Sequence, residues 1–416
     1  MRKYKLKTLD DDLDNQFLMP KKNGKIIFSR IFLPQNLDLS LFDEFRIEYR
    51  KKLLIIISTI YWRQICCKQN KKYNGFISFS RKSQSQLIGK NFIVRVRYDL
   101  VRMGIIEVQE LEKRDFGQYL LGYKLTEKYY YEKVKNIITA KEKEYILKDI
   151  ELAINDIMSK TKITFNQEYL LKCLDNSSID ESNASAKLEE DYKEQVGAIN
   201  HAYNCNLISI GSIADKQWYF NVSKNTGRVF TNITNLKSEY RKFLSYKGNP
   251  LVEVDISNCQ PLLLHTLYLD KTTPESIRYK EIVESGQFNE RIGSLCGVEF
   301  ETQEDRKDFK ISLLTQLFMK EEWDAPYRDL FYQTFPELAI QIKCIKKPTY
   351  KAIARCLQNL ESDLIINNVI TICREQNIPI LTIHDSIMTT VEYKDKISFI
   401  IIDECQKLYG LKPNLK

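Results

Sequence analysis

Apolar and polar positions follow two periods along this chain, and each period predicts one kind of element. Residues 36–73 carry apolar side chains at helical spacing, which predicts a packed helix pair or one long helix. Residues 251–268 alternate as a strand does and change to helical spacing from about residue 258. Residues 378–392, IPILTIHDSIMTTVE, predict a strand, a turn and a second strand. The chain is therefore predicted to be an α+β protein.

Residues 76–130 carry the order of elements of a winged helix. The pattern predicts a short helix from about residue 82, a turn at Gly89, a second helix from about 91 to 103, and two strands joined by the charged turn EKRDFG. In such a unit the second helix can enter a major groove while the hairpin contacts the DNA backbone. The alternative is a winged helix used only for protein contacts. The cations placed for contacts with DNA are Lys90, Arg95, Arg97, Arg102, Lys113 and Arg114.

Two stretches follow the predicted winged helix. Residues 136–175 have the spacing of an amphipathic helical region. Residues 175–195 are polar and poor in large apolar side chains, which predicts a loop or linker.

Composition and charge narrow the class of protein. A chain of 416 residues with 43% hydrophobic content suits two or three globular domains. The longest apolar run, at 53–62, is too short to cross a bilayer and the opening residues lack an apolar signal segment, so we expect a cytoplasmic protein with no membrane partner. Ten cysteines and three histidines show no paired metal-ligand spacing, which argues against a zinc site or a disulfide framework.

The positive charge is concentrated in the first part of the chain. The net charge is +8, but residues 1–150 hold 31 Lys and Arg against 18 Asp and Glu, and the remainder holds 32 against 37. Such a surplus is typical of a surface that binds a polyanion, although an AT-rich genome also raises lysine content. We therefore expect nucleic acid as a partner of the N-terminal part.

Two carboxylates stand at predicted strand ends. Asp255 ends the strand that begins at about residue 251, and Asp385 follows His384 at the bend of the predicted hairpin. If these strands are neighbours, repulsion between the carboxylates requires divalent cations. Oxygen ligands favour Mg²⁺, and two ions about 3.5–4 Å apart serve in-line phosphoryl and nucleotidyl transfer. The alternative is an ordinary turn aspartate that backbone amides satisfy.

Between the two carboxylates, residues 304–323 predict a helix with two cations and an aromatic on one face. Arg306, Lys310, Leu314 and Phe318 are each four residues apart, so they form one stripe. Cations suit a triphosphate, and an aromatic face suits a base or sugar. A surface helix with a solvated basic turn and a core phenylalanine is the alternative.

Taken together, these segments resemble the catalytic part of the family A DNA polymerases and the related single-subunit phage-type RNA polymerases. Five motifs follow the family's order between residue 225 and the end of the sequence. They are the T-G-R segment NTGRVFTNITNLKSEYRKF (225–243), motif A VEVDISNCQPLLL (252–264), motif B RKDFKISLLTQLFM (306–319), the glutamine-bearing helix RCLQNLESDLIINNVI (355–370) and motif C LTIHDSIMTTVE (381–392).

The resemblance implies a catalytic set. Asp255 and Asp385 are similar to the family's two metal-binding aspartates, with the Ile256 carbonyl as a further ligand of two Mg²⁺ ions, or of Mn²⁺ in their place. Arg306 and Lys310 are expected to hold the incoming triphosphate. Lys310 is also expected to protonate the departing pyrophosphate.

The resemblance also implies contacts with nucleotide and primer. Phe318 takes the position of the motif B tyrosine, which stacks near the nascent base pair. Gln260 occupies the position whose glutamate blocks the ribose 2′-hydroxyl in the DNA polymerases, and a glutamine still fills that space, which favours deoxynucleotides. Arg228, Gln358 and His384 resemble residues that contact the primer terminus and the minor groove.

Two residues depart from the family's pattern. Met319 stands where the family has glycine, which affects how the fingers helix pivots. Ser386 stands where the DNA polymerases usually have glutamate and the RNA polymerases have serine. No exonuclease carboxylate pattern is visible in the N-terminal part, so proofreading is not expected.

The implied architecture is a right-hand polymerase-like palm and fingers with a largely helical N-terminal part that contains a winged helix. Residues 1–135 are expected to bind nucleic acid, and residues 136–224 to form a helical connector or reduced thumb. Residues 225–416 are expected to form the palm, with fingers inserted at about 271–350.

The implied activity is template-directed nucleotidyl transfer by a DNA polymerase without proofreading, which extends a 3′-hydroxyl with nucleoside triphosphates on a DNA primer–template. One alternative is a primase or single-subunit RNA polymerase that uses ribonucleotides, which makes RNA a partner. The others are a DNA-binding replication initiator or regulator with an inactive palm, and template-independent nucleotide addition. A small polymerase that has a DNA-binding domain and no exonuclease is typical of a plasmid, phage or other mobile element.

Overall fold

The chain folds into two compact units, and both combine helices with strands. The first comprises residues 1–163, 174–221 and 231–248, and the second comprises residues 164–173, 222–230 and 249–416. The protein is therefore mixed α and β, as the two sequence periods predict. The computed structural model describes residues 21–22, 25–26, 30–66, 73–113, 119–130, 132–138, 164–193, 200–216, 218 and 220–416.

The described elements follow one another in chain order. The α-helices span Ile47–Cys66, Arg81–Ile88, Ile93–Arg102, Glu127–Tyr130, Phe165–Asp175, Glu181–Asp191, Asn200–Ala214, Ser238–Arg241, Cys259–Leu264, Pro274–Glu284, Phe288–Leu295, Gln303–Phe318, Pro326–Thr334, Pro336–Lys346, Ala352–Ser362, Ile370–Glu375 and Lys394–Tyr409. The strands span Lys21–Lys22, Lys25–Ile26, Arg30–Pro34, Ile77–Ser78, Ile106–Lys113, Tyr119–Leu125, Val134–Ile138, Ser177–Ile179, Phe220–Val222, Val229–Thr231, Leu244–Tyr246, Asn249–Asp255, Leu381–Ile383 and Ser386–Thr390. None of the described helices is long and apolar enough to span a membrane.

The two helices, the turn at Gly89 and the two paired strands predicted for residues 76–130 are confirmed, whereas residues 114–117 of the predicted charged turn lie outside the described residues. The first helix, Arg81–Ile88, ends at Gly89, whose φ of 86° lies in the left-handed region that favours glycine. The second helix, Ile93–Arg102, is followed by two antiparallel strands. A short strand, Ile77–Ser78, pairs with the second of them. This is the element order of a winged helix.

The apolar run at residues 36–73 forms one long helix, Ile47–Cys66, after a separate 3₁₀ turn. Leu53, Ile57 and Ile60 of this helix are fully buried. They belong to one hydrophobic cluster with the apolar side chains of the helix–turn–helix and its strands. The long helix thus forms the support on which the winged-helix elements pack.

The prediction of a loop or linker over residues 175–195 is wrong, because a helix, Glu181–Asp191, occupies most of that stretch. Asp180 caps the helix by accepting a backbone N–H of its first turn at 3.1 Å. Ala184 and Leu188, one turn apart, are fully buried. An N-cap and two buried apolar side chains are enough to pack one face of this helix against the unit. The mostly polar composition of residues 175–195 hides that signal in the sequence.

A run of three neighbouring antiparallel strands carries the second unit. Its order is Leu381–Ile383, Ser386–Thr390 and Asn249–Asp255, so the predicted hairpin lies beside the predicted motif A strand. The helix Lys394–Tyr409 packs against the last two of these strands. The sheet therefore places the end of one strand next to the bend of the hairpin.

A π-helical turn, Asp363–Val369, interrupts the long helical segment at residues 352–375. Such a turn changes the usual backbone hydrogen bonds, so some carbonyls need other donors. The Asn166 amide donates to the Ile366 carbonyl at 2.8 Å and to the Thr371 hydroxyl at 2.9 Å. A side chain from an earlier helix therefore stabilises the π turn.

Candidate functional site

The sheet brings Asp255 and Asp385 to adjacent positions. Asp255 is the last residue of its strand and pairs in register with Ser386, the residue after Asp385. The backbone N–H of Ile256 donates to the Asp385 carbonyl at 3.3 Å. His384, which precedes Asp385 in the turn, has a φ of 56°. Two carboxylates that lie far apart in the chain are thus neighbours at one edge of the unit.

The two carboxylates interact electrostatically. Burial raises the pKa of Asp385, and the negative charge of Asp255 raises it further. The cations of Arg228 and Lys310 act in the opposite direction. Because the burial and the like charge dominate, this pair is chemically suited to a bound cation.

The donor set fits Mg²⁺. The described residues contain no group of three or more His, Cys, Asp and Glu side chains that could hold a metal ion. The strand pairing brings two carboxylates, Asp255 and Asp385, to this edge. Mg²⁺ is commonly held by one or two carboxylates, with water and substrate phosphate oxygens in its other positions. The Ile256 carbonyl lies next to Asp255 in the chain and is the expected backbone donor. Mn²⁺ accepts the same oxygen ligands.

The helix Gln303–Phe318 has a buried stripe and a partly open stripe. Phe309, Leu313 and Leu317 are buried against the unit. The neighbouring stripe, which is only partly buried, consists of Arg306, Lys310, Leu314 and Phe318. Phe318 is therefore partly exposed, whereas the alternative interpretation of this helix predicts a core phenylalanine at that position.

Lys310 lies within electrostatic reach of both carboxylates. Burial lowers the pKa of its ammonium group, whereas the charges of Asp385 and Asp255 act to raise it. A lysine whose pKa is lowered gives up its proton more readily than an exposed lysine does. The structure therefore places a lysine with a lowered pKa within electrostatic reach of the carboxylate pair.

Arg306 forms an ion pair with Glu290, which belongs to the helix Phe288–Leu295. Burial opposes the ionisation of Glu290, yet the hydrogen bond and charge of Arg306 contribute to a lowered pKa. Phosphate oxygens and carboxylate oxygens bind a guanidinium group in the same way. Arg306 is thus held by a carboxylate of another helix.

Arg228 forms an ion pair that the sequence did not predict. Its Nη2 lies 2.5 Å from Oε2 of Glu361, and the two side chains are 14% and 2% exposed. Burial raises the pKa of Glu361 to about 7, and the charge of Asp385 adds to this effect, although Arg228 opposes it. A buried carboxylate therefore holds the arginine that the resemblance assigns to the primer terminus.

The sequence contained a signal for Glu361. In the helix Ala352–Ser362 the buried stripe is formed by Ile353, Leu357 and Glu361, at intervals of four residues. A glutamate in an apolar stripe costs several kcal/mol unless it is paired or protonated. The presence of Glu361 in this apolar stripe therefore indicates that its carboxylate has a buried partner.

We expect the Glu361→Gln substitution to change how stability depends on pH. Because the pKa of Glu361 is raised in the folded protein to about 7, its contribution to the unfolding free energy is greatest below the pKa of the unfolded chain. That contribution is lost as the pH rises through about 7. Between pH 4.5 and 7.5 the unfolding free energy of the wild-type protein should fall by up to about 3 kcal/mol more than that of Glu361→Gln. Urea denaturation at each pH measures both values.

The control for that experiment is Glu375→Gln, which changes an exposed glutamate in the same unit. Its unfolding free energy should follow the wild-type dependence on pH. Parallel curves for wild type and Glu361→Gln would contradict the raised pKa.

His384 and Arg228 lie in one cleft. The His384 ring packs edge-on against Phe230, with ring centroids 5.3 Å apart and an interplanar angle of 69°. Arg228, Ser362, Thr382 and His384 all line the same narrow cleft. The structure therefore brings together two of the three residues expected at the primer terminus.

Gln358 and Gln260 lie on helices that pack against each other. Gln358 belongs to Ala352–Ser362 and Gln260 to the first turn of Cys259–Leu264. Both side chains are partly exposed. Gln260 follows Asp255 by five residues in the chain, just after the turn that leads from the strand into the helix.

The structure describes the surroundings of Ser386 and Met319, the two residues that depart from the family's pattern. The hydroxyl of Ser386 donates to Oε1 of Glu253 at 2.6 Å, so Ser386 joins the two strands that carry the carboxylates. Met319 has φ −77° and ψ 176°, and the helix ends at Phe318. The helix with the cations thus stops at the position where the family has glycine.

The cations expected to contact DNA lie in the first unit. Lys90 and Arg95 are exposed and Arg97 is partly exposed. The Arg95 guanidinium lies 4.6 Å from the centroid of the Tyr49 ring, and its Nε is 3.8 Å from the Asp99 carboxylate. Arg95 is therefore held against its own unit.

Three cations of this group remain, namely Arg102, Lys113 and Arg114, and the structure describes the first two of them. Arg102 lies 3.9 Å from Glu44, and both side chains are more than half exposed. Lys113 ends its strand, and Arg114 lies outside the described residues. Around these cations the second helix exposes Val94, Tyr98 and Val101.

The comparisons with known proteins add no relative. No family model matches this chain, and no curated protein matches it. The resemblance to the polymerases therefore rests on the five sequence motifs.

Proposed function

We propose that this protein is a template-directed nucleotidyltransferase, and specifically a DNA polymerase without proofreading. The observation that carries the proposal is the convergence of Asp255, Asp385 and Lys310, which come from a strand end, the turn of the adjacent hairpin and one helix. This combination of two carboxylates and one partly buried cation suits a reaction that develops negative charge on phosphate oxygens. The second unit would then be the palm, with the helices between Pro274 and Lys346 as inserted fingers.

The residues of this site divide the work of the reaction. Asp255 and Asp385 would hold Mg²⁺, which would supply Lewis-acid stabilisation of negative charge on the reacting oxygens. Arg306 exchanges Glu290 for phosphate oxygens and orients the triphosphate. Lys310 gives a proton to the pyrophosphate as the bond to the α-phosphate breaks.

Ribonucleotide polymerisation is the second candidate. The observation in its favour is Ser386, which is the residue of the RNA polymerases at that position and is held by Glu253. Against it stands Gln260, whose side chain fills the space near the sugar that is open in those enzymes. A primase or single-subunit RNA polymerase would be the corresponding activity.

A primer-extension assay tests the proposal. The purified protein is given a primed DNA template, Mg²⁺ and either deoxynucleoside or ribonucleoside triphosphates. Template-dependent extension with deoxynucleotides supports a DNA polymerase, and efficient ribonucleotide incorporation supports the second candidate. Products that form without template indicate template-independent addition. A protein that binds DNA but incorporates no nucleotide with Mg²⁺ or Mn²⁺ indicates an initiator or regulator with an inactive palm.

We further propose that the winged helix binds duplex DNA through its second helix. Arg97 carries the clearest prediction, because no ion pair among the described residues engages it and its side chain is partly exposed. Arg97→Ala should weaken duplex binding by about 1–3 kcal/mol and reduce the slope of log K against log salt by about one. Fluorescence anisotropy with a labelled duplex at several salt concentrations measures both quantities.

The matched control is Lys128→Ala, which removes an exposed cation of the short helix after the hairpin. It should leave the salt dependence of duplex binding unchanged. If Arg97→Ala binds duplex DNA with wild-type affinity and slope, the second helix does not enter a groove.

A further inference from the structure

Residues 411–416 add a short backbone ladder to the strand end that carries Asp255. The Lys416 N–H donates to the Asp255 carbonyl at 3.0 Å, and the Asp255 N–H donates to the Lys416 carbonyl at 3.2 Å. The Ser257 N–H donates to the Asn414 carbonyl at 2.8 Å, and Ile256 pairs with Leu415. Lys416 is therefore held beside a residue of the carboxylate pair by two backbone hydrogen bonds.

The segment is anchored before it reaches this place. Leu411 is fully buried, and the backbone N–H of Lys412 donates to Oε1 of Glu284 at 2.7 Å. Asn414 packs closely on Gly286, where an added Cβ would lie 2.6 Å from the Asn414 amide nitrogen. Because Gly286 also has a φ of +75°, this close approach requires glycine. The position of Lys416 is thus set by packing and backbone bonds.

The charge of Lys416 acts on Lys310 of the helix Gln303–Phe318 and on Glu290 of the helix Phe288–Leu295. The Lys416 charge is, after burial, the strongest influence that lowers the pKa of Lys310. It also helps to lower the pKa of Glu290, the partner of Arg306. Lys416 itself is exposed, so its ammonium group is accessible from solvent.

Charges of both signs act on Lys310, because the positive charges of Lys416 and Arg306 oppose the negative charges of Asp385 and Asp255. Arg306 pairs with Glu290, whereas Lys310 and Lys416 act on each other as like charges. Like charges held close together are unfavourable unless an anion joins them. A triphosphate brings several negative oxygens to the place where these cations meet.

We propose that Lys416 is a third phosphate-binding cation of this site and that it contacts the β- and γ-phosphates of the incoming nucleotide. This inference rests on the proposed function, because it assigns a further residue to the same nucleotide site. The backbone ladder to Asp255 places the lysine, and the exposed ammonium group makes the contact. Arg306 and Lys310 bind the same triphosphate from the facing helix.

The test compares Lys416→Gln, Lys416→Arg and the control Lys412→Gln in the full chain. Lys412 is exposed and lies on the same segment, and its backbone N–H donates to Glu284. Equilibrium binding of dTTP and of dTMP, each with Mg²⁺, is measured with a fluorescent nucleotide as the competitor. Lys416→Gln should weaken dTTP binding about 10-fold and leave dTMP binding within about twofold, because a charge-assisted phosphate contact is lost.

Two further variants and one assay separate a binding role from a structural one. Lys416→Arg should restore most of the dTTP affinity, and Lys412→Gln should bind as wild type does. Where the protein extends a primer, Lys416→Gln should raise KM for the nucleotide with little change in kcat.

Failure of the Lys416 proposal and failure of the polymerase proposal would give different results. Equal dTTP affinity of wild type and Lys416→Gln, or an equal loss for dTTP and dTMP, overturns the role of Lys416. A wild-type protein that binds dTTP in a Lys416-dependent way but extends no primer overturns the polymerase proposal and leaves the phosphate site intact.

Discussion

Asp385→Asn is expected to abolish nucleotide incorporation while the protein remains folded. The substitution keeps the shape of the side chain and removes its charge, so the site loses one of two carboxylates that would hold Mg²⁺. Loss of metal-dependent stabilisation of several kcal/mol corresponds to a fall of about 10⁴-fold in kcat. Single-turnover primer extension with saturating Mg²⁺ and nucleotide measures this loss.

The same variant should be at least as stable as the wild-type protein without metal. Burial and the charge of Asp255 raise the pKa of Asp385, so this group stabilises the fold most at low pH and loses that contribution as the pH rises through its folded pKa. At neutral pH the uncharged asparagine avoids the unfavourable buried charge. Thermal unfolding in the presence of a chelator should therefore give an equal or higher Tm.

The control is Asp395→Asn, which alters an exposed carboxylate in the first turn of the helix Lys394–Tyr409. It should retain wild-type incorporation. Asp385→Asn that is folded and fully active would show that the carboxylate pair does not take part in the reaction.

Lys310→Met is expected to lower kcat/KM by about 10³-fold. Methionine preserves most of the side-chain volume, but it removes a phosphate contact and the group that would protonate pyrophosphate. Lys310→Arg should recover the KM for the nucleotide and leave kcat low, because a guanidinium group binds phosphate but does not release its proton. Steady-state extension of one nucleotide separates the two parameters.

Lys307→Met is the matched control, since Lys307 is an exposed cation one turn away on the same helix. Its kinetic parameters should stay within about twofold of wild type. If Lys310→Arg has the full activity of the wild type, Lys310 binds phosphate without acting as a proton donor.

Local patterns predicted the secondary structure around both proposed sites. The winged-helix elements at residues 76–130 and the hairpin at residues 381–390 follow from spacing, turn residues and strand alternation, which depend on near neighbours in the chain. The helix Glu181–Asp191 was missed because only two apolar residues and a cap form its signal. A local average over polar residues conceals a signal of that size.

The neighbours of the site residues were less accessible to sequence analysis. Glu361 meets Arg228 across 133 residues of chain, and Glu290 meets Arg306 from a separate helix. Neither contact follows from a helical or strand period, because each depends on how two elements pack. The glutamate in the apolar stripe of the helix Ala352–Ser362 was the one local sign of such a contact.

The sequence by itself determined the helices and strands around the site, the two carboxylates at strand ends and the cationic stripe of one helix. These features arise from residue type and from the fixed geometry of neighbouring residues. The tertiary structure alone decided that Asp255 pairs beside Asp385, that Glu361 holds Arg228 and that Lys416 returns to the strand end. Such contacts depend on packing and backbone pairing between distant segments, and no local pattern specifies which segments meet.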